Sequence, residues 1–204
     1  MRRHQSGFTL IEIAIVLVII GLLLGGILKG QELITQGRIR NVSNDFQSMT
    51  AAINLYQDRY RALPGDDVGA AARWSITAPT PTTGTLGDGI ISGAYNTATA
   101  TDESRQLWLH LRRAGLVGGA VTDDTTPPNA ASGVTGVQNA AFSIPGLVIC
   151  SNNLPAKIAQ AIDTQFDDGV ATTGTVRAGT GTSTTTAAAY VDNGTNFYVV
   201  CKAP

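Results

Sequence analysis

Gly7-Phe8-Thr9-Leu10-Ile11-Glu12 opens an apolar run that continues through Ile13-Ala14-Ile15-Val16-Leu17-Val18-Ile19-Ile20-Gly21-Leu22-Leu23-Leu24-Gly25-Gly26-Ile27-Leu28, and this stretch decides the architecture of the 204-residue chain. As a helix rising 1.5 Å per residue, about twenty residues reach ~30 Å, the thickness of a bilayer's hydrocarbon core. Phe8 to Leu28 therefore reads as a membrane span carrying one charge, Glu12. Arg2, Arg3 and His4 precede it, so the positive-inside rule places the N-terminus in the cytoplasm and the chain after Lys29 outside, although Lys29, Arg38 and Arg40 weaken the asymmetry. No Ala-x-Ala-like site follows at Leu28-Lys29-Gly30-Gln31, and the span is expected to survive maturation.

Glu12 needs a partner or an escape. A carboxylate within a span costs roughly 2.5–3.5 kcal/mol on insertion scales, and no cation lies within helical reach. Cutting the short basic leader after Gly7 would free the α-amino group of Phe8, which a neighbouring chain shifted along the helix axis could bring to Glu12. The alternative is a carboxylate close to the membrane face, neutral or snorkelling to water. Gly21, Gly25, Gly26 and Gly30 make two Gly-x-x-x-Gly spacings, which permit close helix approach in lipid.

Composition narrows the class. Charged residues are 14% of the chain, hydrophobic residues 43% and the formal net charge is -1, which excludes a highly charged disordered chain and the basic surface of a nucleic-acid binder. Removal of Arg2 and Arg3 with the leader leaves 12 of the 14 basic residues against 15 acidic ones. Two histidines exclude a histidine-rich metal site, and Cys150 and Cys201 lack Cys-x-x-Cys spacing. No nucleophile elbow or phosphate-binding glycine loop occurs, and His110, the only histidine beyond the leader, reads as a partly exposed helix residue beside Trp108. No catalytic role and no cofactor are expected.

The residues Gly7-Phe8-Thr9-Leu10-Ile11-Glu12 and the apolar helix behind them resemble the processing site of type IV prepilins and the related type II secretion pseudopilins. The resemblance covers roughly residues 1–60 at the level of motif. It implies cleavage after Gly7 by a prepilin peptidase, N-methylation of Phe8, and a role for Glu12 in neutralising a neighbour's N-terminus during filament assembly. It also implies an assembly ATPase and an inner-membrane platform protein as partners, besides copies of the chain itself. Where many members of that family carry a proline near Lys29, this chain has glycines.

No proline occurs before Pro64, so the helix that starts near Phe8 is expected to continue to about Tyr60. Ile39, Val42, Phe46, Met49, Ile53, Tyr56 and Tyr60 form one apolar stripe, which needs a partner surface: a sheet of the same chain, or a coiled coil. Leu63-Pro64-Gly65-Asp66-Asp67 breaks the helix. Residues 75–101 and 118–141 read as surface loops, Thr101 to Gly115 and Pro155 to Phe166 as helices, and Ile144 to Cys150 as a strand. Tyr190-Val191-Asp192 and Asn196 to Cys201 read as a hairpin turning at Asn193-Gly194. The fold class is α+β: a leader at 1–7, a span at 8–28, an amphipathic continuation at 29–62, and a head at 63–204 with a small antiparallel sheet across the long helix.

Cys150 and Cys201 end predicted strands in an exported region, and a disulfide is expected between them; a cysteine-bounded C-terminal region also recurs among type IV pilins. Asp66, Asp67 and Asp88 near the first loop, and Asp163, Asp167 and Asp168 around the third helix, are oxygen ligands of the kind calcium takes, without EF-hand spacing. The reading is a pilin of the bacterial inner membrane with its head in the periplasm, extracted into a filament. A pseudopilin of a type II secretion system and a non-polymerising, membrane-anchored periplasmic binding domain are the alternatives.

Overall fold

The computed structural model describes residues 9–204. The elements run α1 (Leu10–Tyr60), α2 (Ala70–Trp74), α3 (Glu103–Arg113), β1 (Thr135–Ala141), β2 (Ile144–Pro155), α4 (Ala156–Phe166), β3 (Val176–Thr180) and β4 (Phe197–Lys202). Two compact units divide the chain between Gly37 and Arg38.

The first unit holds the N-terminal part of α1. From Thr9 to Lys29 every described residue is exposed, including Leu10, Leu17, Leu22 and Leu28, each above 60%. The helix is long and apolar enough to cross a membrane.

The second unit begins with the stripe that the spacing predicts. Ile39, Val42, Phe46, Met49, Ile53 and Tyr56 are buried on α1, and Tyr60 is packed at their margin. The helix ends because Arg61 turns into the left-handed region (φ 57°), its N–H still donating to the Gln57 carbonyl at 2.8 Å, and Pro64 follows. The stripe joins Leu107, Trp108 and Leu111 of α3, Ile158 and Ile162 of α4, and Val137, Ile149, Leu154 and Val200 of the sheet in one core. The long helix thus packs on a small sheet of its own chain.

That sheet is antiparallel throughout, in the order β1-β2-β4-β3. Successive side chains of a strand point to opposite faces. Ile149 faces α1 accordingly, whereas Val148 and Cys150 belong to a second core with Val199, Cys201, Tyr95 and Phe142. Both faces are covered, the second by loops rather than helices. The segment 75–101, expected as a surface loop, buries Ile91 and Tyr95, and Ser92 N–H donates to the buried Glu103 carboxylate at 2.8 Å.

Two further expectations need correction. The segment 118–141 contains β1, which forms a two-residue hairpin with β2 through Phe142 and Ser143, both at positive φ (49° and 65°) as a type I′ turn requires. Residues 190–192 form no strand: β4 pairs with β2 and with β3, a strand the sequence reading left out. Asn193 nonetheless turns the chain, its side-chain oxygen accepting from the N–H groups of Thr195 and Asn196.

Candidate assembly site

Thr9 precedes α1, and its side chain and backbone lock onto Glu12. The Thr9 N–H and hydroxyl both donate to Glu12 Oε2, at 2.8 and 2.7 Å, and the Glu12 N–H donates back to Thr9 Oγ1 at 3.3 Å. This is a capping box, in which threonine and the glutamate three residues on satisfy each other's orphan donors at a helix start. The spacing Thr9-x-x-Glu12 was legible, but sequence reasoning sought a cation for Glu12 and passed over the hydroxyl beside it. The negative charge also sits where the positive end of the helix dipole favours it. Only Oε2 is engaged by these bonds, so Oε1 keeps its lone pairs for a second donor. Gly7 and Phe8, the expected cleavage and methylation positions, lie outside the described residues, as do Arg2, Arg3 and His4.

Cys150 and Cys201 stand directly opposite each other on β2 and β4 and are joined as a disulfide, both fully buried in the second core. The bond ties the central strand pair across a separation of 51 residues.

The acidic residues have local roles. Asp66 accepts from the N–H groups of Gly87 and Gly89, and Asp88 caps its own turn through the N–H groups of Thr85 and Ile90. Asp67 accepts from the Tyr56 hydroxyl, the Gly69 N–H and the Arg73 guanidinium. Although burial opposes it, these three donors hold the Asp67 carboxyl below the ordinary range. Asp66, Asp67 and Asp88 therefore engage separate partners and do not present a shared set of oxygens. Asp163, Asp167 and Asp168 do converge, with one oxygen of each within 4.8 Å of the others. Each is already met by donors: Tyr190 hydroxyl and Gly169 N–H on Asp163, Thr175 and Val176 N–H on Asp167, Val170 N–H and Thr173 hydroxyl on Asp168. Both donors on Asp167 engage Oδ2, and its Oδ1 accepts no side-chain or backbone bond among the described residues.

His110 is a correction. Far from being a surface residue, it is fully buried, stacked on Tyr56 with ring centroids 6.2 Å apart, and its Nδ1 accepts from the Gly65 N–H at 2.9 Å. Burial pushes its pKa down to about 4, so the imidazole is neutral at pH 7. Arg73 lies over the ring of Tyr60, with 4.2 Å from guanidinium carbon to centroid, and completes this cluster at the end of α1. These contacts anchor the turn after the helix. No triad-like arrangement surrounds His110 among the described residues.

Residues 2–28 match the family model described as the prokaryotic N-terminal methylation motif. No curated protein and no solved structure matches the chain significantly. The matched segment contains the expected cut site, the capping box and nearly the whole exposed apolar run, and it points to a structural rather than an enzymatic role. The chain thus carries, at residues 2–28, a prepilin-type N-terminal methylation motif.

Proposed function

We propose that this chain is a structural subunit of a type IV pilus-like filament, processed after Gly7, methylated on Phe8 and polymerised through its N-terminal helix. The observation that carries the reading is an apolar helix exposed on all sides from Leu10 to Leu28, headed by the methylation motif. Such a surface is stable only in lipid or against other apolar helices, because water exacts roughly 25 cal/mol for each Å² of it. Before assembly the helix anchors the chain in the inner membrane; afterwards neighbouring helices replace the lipid. On this reading Glu12, bonded to Thr9 through Oε2 alone, receives the α-amino group of a neighbouring Phe8 on its other oxygen. The partners on this reading are a prepilin peptidase, a platform protein and an assembly ATPase.

Mass spectrometry of the N-terminal peptide, in material sheared from cells and in the membrane fraction, tests it. N-methylated Phe8 in sheared filaments is the expected result. Processed protein confined to the membrane favours a pseudopilin, and an intact leader in every fraction overturns the reading in favour of a fixed anchored domain.

A further inference from the structure

A cavity of about 270 Å³ opens on the head between α1, α3 and the segments that follow α3. Met49, Trp108, Leu116, Val117 and Pro128 make its walls apolar, and Asp45 of α1 is the one charged residue lining it. Asp45 is half-buried and forms no ion pair among the described residues. Burial alone raises its carboxyl above the ordinary range, with no donor acting the other way. An unpaired carboxylate over an apolar wall is complementary to a cation on an aliphatic stem, which is the chemistry of a lysine or arginine side chain.

The chain itself offers such a group. Arg40 is exposed and has no acidic partner among the described residues. It stands on α1 five residues before Asp45, which is roughly 140° around the helix, so it faces away from its own chain's cavity and outward to a neighbour. We propose that Arg40 of one subunit docks in this cavity on the next, its guanidinium on Asp45 and its stem against Met49, Leu116 and Val117.

The contact rests on the polymerisation reading, since it needs parallel copies offset along α1. Five residues correspond to an axial shift of about 7.5 Å. The guanidinium can chelate the carboxylate with two parallel N–H donors, which fixes register as well as attraction.

The test is charge exchange in the full chain, read as the yield of sheared filament relative to the membrane pool. Asp45→Arg and Arg40→Asp should each lower that yield about tenfold, and the double exchange should restore it. A second readout places cysteines at both positions: in Asp45→Cys with Arg40→Cys, a thiol-reactive bifunctional linker about as long as an arginine side chain should give cross-linked dimers and longer ladders from sheared filaments, whereas a direct disulfide would be too short. Arg40 is exposed, so Arg40→Asp keeps the test open if Asp45→Arg fails to fold. Wild-type yield from Arg40→Asp, no recovery in the double exchange, or filaments in which the cysteine pair does not cross-link overturns the contact. Filament formation by the unaltered chain reports on the polymerisation reading separately. If the unaltered chain never assembles, that reading falls first; if it assembles and the exchanges have no effect, only this contact falls.

Discussion

Leu10 to Leu28 and the head from Arg38 onward both contain large apolar side chains, yet the first stretch leaves all of them exposed while the second buries Val42, Phe46, Ile53 and Tyr56 to 1% or less. The N-terminal stretch satisfies its backbone by being a helix and leaves its side chains for others to cover. The head satisfies both itself, down to loops that close the second face of its sheet. Stability should therefore be a property of the head, and assembly a property of the N-terminal helix. Apart from the proposed contact between Arg40 and Asp45, substitutions in one should leave the other's measurable unchanged.

The largest effect expected is on assembly. Glu12→Ala should abolish filaments in the sheared fraction while the thermal unfolding of the head is unaltered; coupled losses would break the division between the two units. Thr9→Val keeps the size and removes the hydroxyl, and should lower filament yield less than Glu12→Ala does.

Within the head, the disulfide comes next. Replacing Cys150 and Cys201 together by alanine releases a closed loop with a separation of 51 residues, a loss of about 4 kcal/mol on the chain-entropy model. Denaturant unfolding of the two forms measures it. Gly136→Ala follows, because a Cβ at Gly136 would lie 1.9 Å from the Tyr95 carbonyl oxygen, and the loop that covers the sheet would have to shift. A cost of about 3 kcal/mol, at the upper end for overpacking, is expected.

His110 makes the head sensitive to acid. Its pKa falls from 6.5 to about 4 on burial, so the unfolded chain binds the proton first, and stability present above pH 6.5 is lost as the pH falls toward 4. The loss reaches about 3 kcal/mol. Stability measured against pH should show that slope in the parent protein and lack it in His110→Gln. The smallest effect is a gain. Ser143 is exposed at φ 65° in the type I′ turn, and Ser143→Gly should stabilise the head by about 0.5 kcal/mol, the relief of left-handed strain being partly offset by chain entropy. A change of similar size in filament yield from any of these head substitutions would sharpen the boundary by showing where it leaks.

The same contrast explains what was legible in the sequence. The span, the extent of α1 and its buried stripe declare themselves through long apolar periodicity, and α3 and α4 through capping and breaker residues. β1 and β3 are harder to see because loops cross the sheet at close range and demand small residues. Gly136 lies under the Tyr95 carbonyl, and a Cβ at Gly179 would meet the Phe142 ring at 2.6 Å. Thr135–Ala141 and Val176–Thr180 consequently have the composition of loops while pairing as strands. His110 misleads for a related reason. Helix α3 buries nearly every residue from Glu103 to Arg112, so its polar side chains mark no outer face. For the candidate site, the motif was readable in full, and what escaped was the local partner of Glu12.

Strand order ties closure of the sheet to the arrival of β4. β4 is the last strand in the chain, yet it lies inside the sheet, and β3 has no other neighbour. Until Phe197–Lys202 has been made, β3 has no strand to pair with and Cys150 has no thiol to meet. A polypeptide stalled or clipped before Phe197 is left with an unpaired edge and a lone reduced cysteine, both recognisable as unfinished. The four-stranded sheet can therefore close only when β4 enters between β2 and β3.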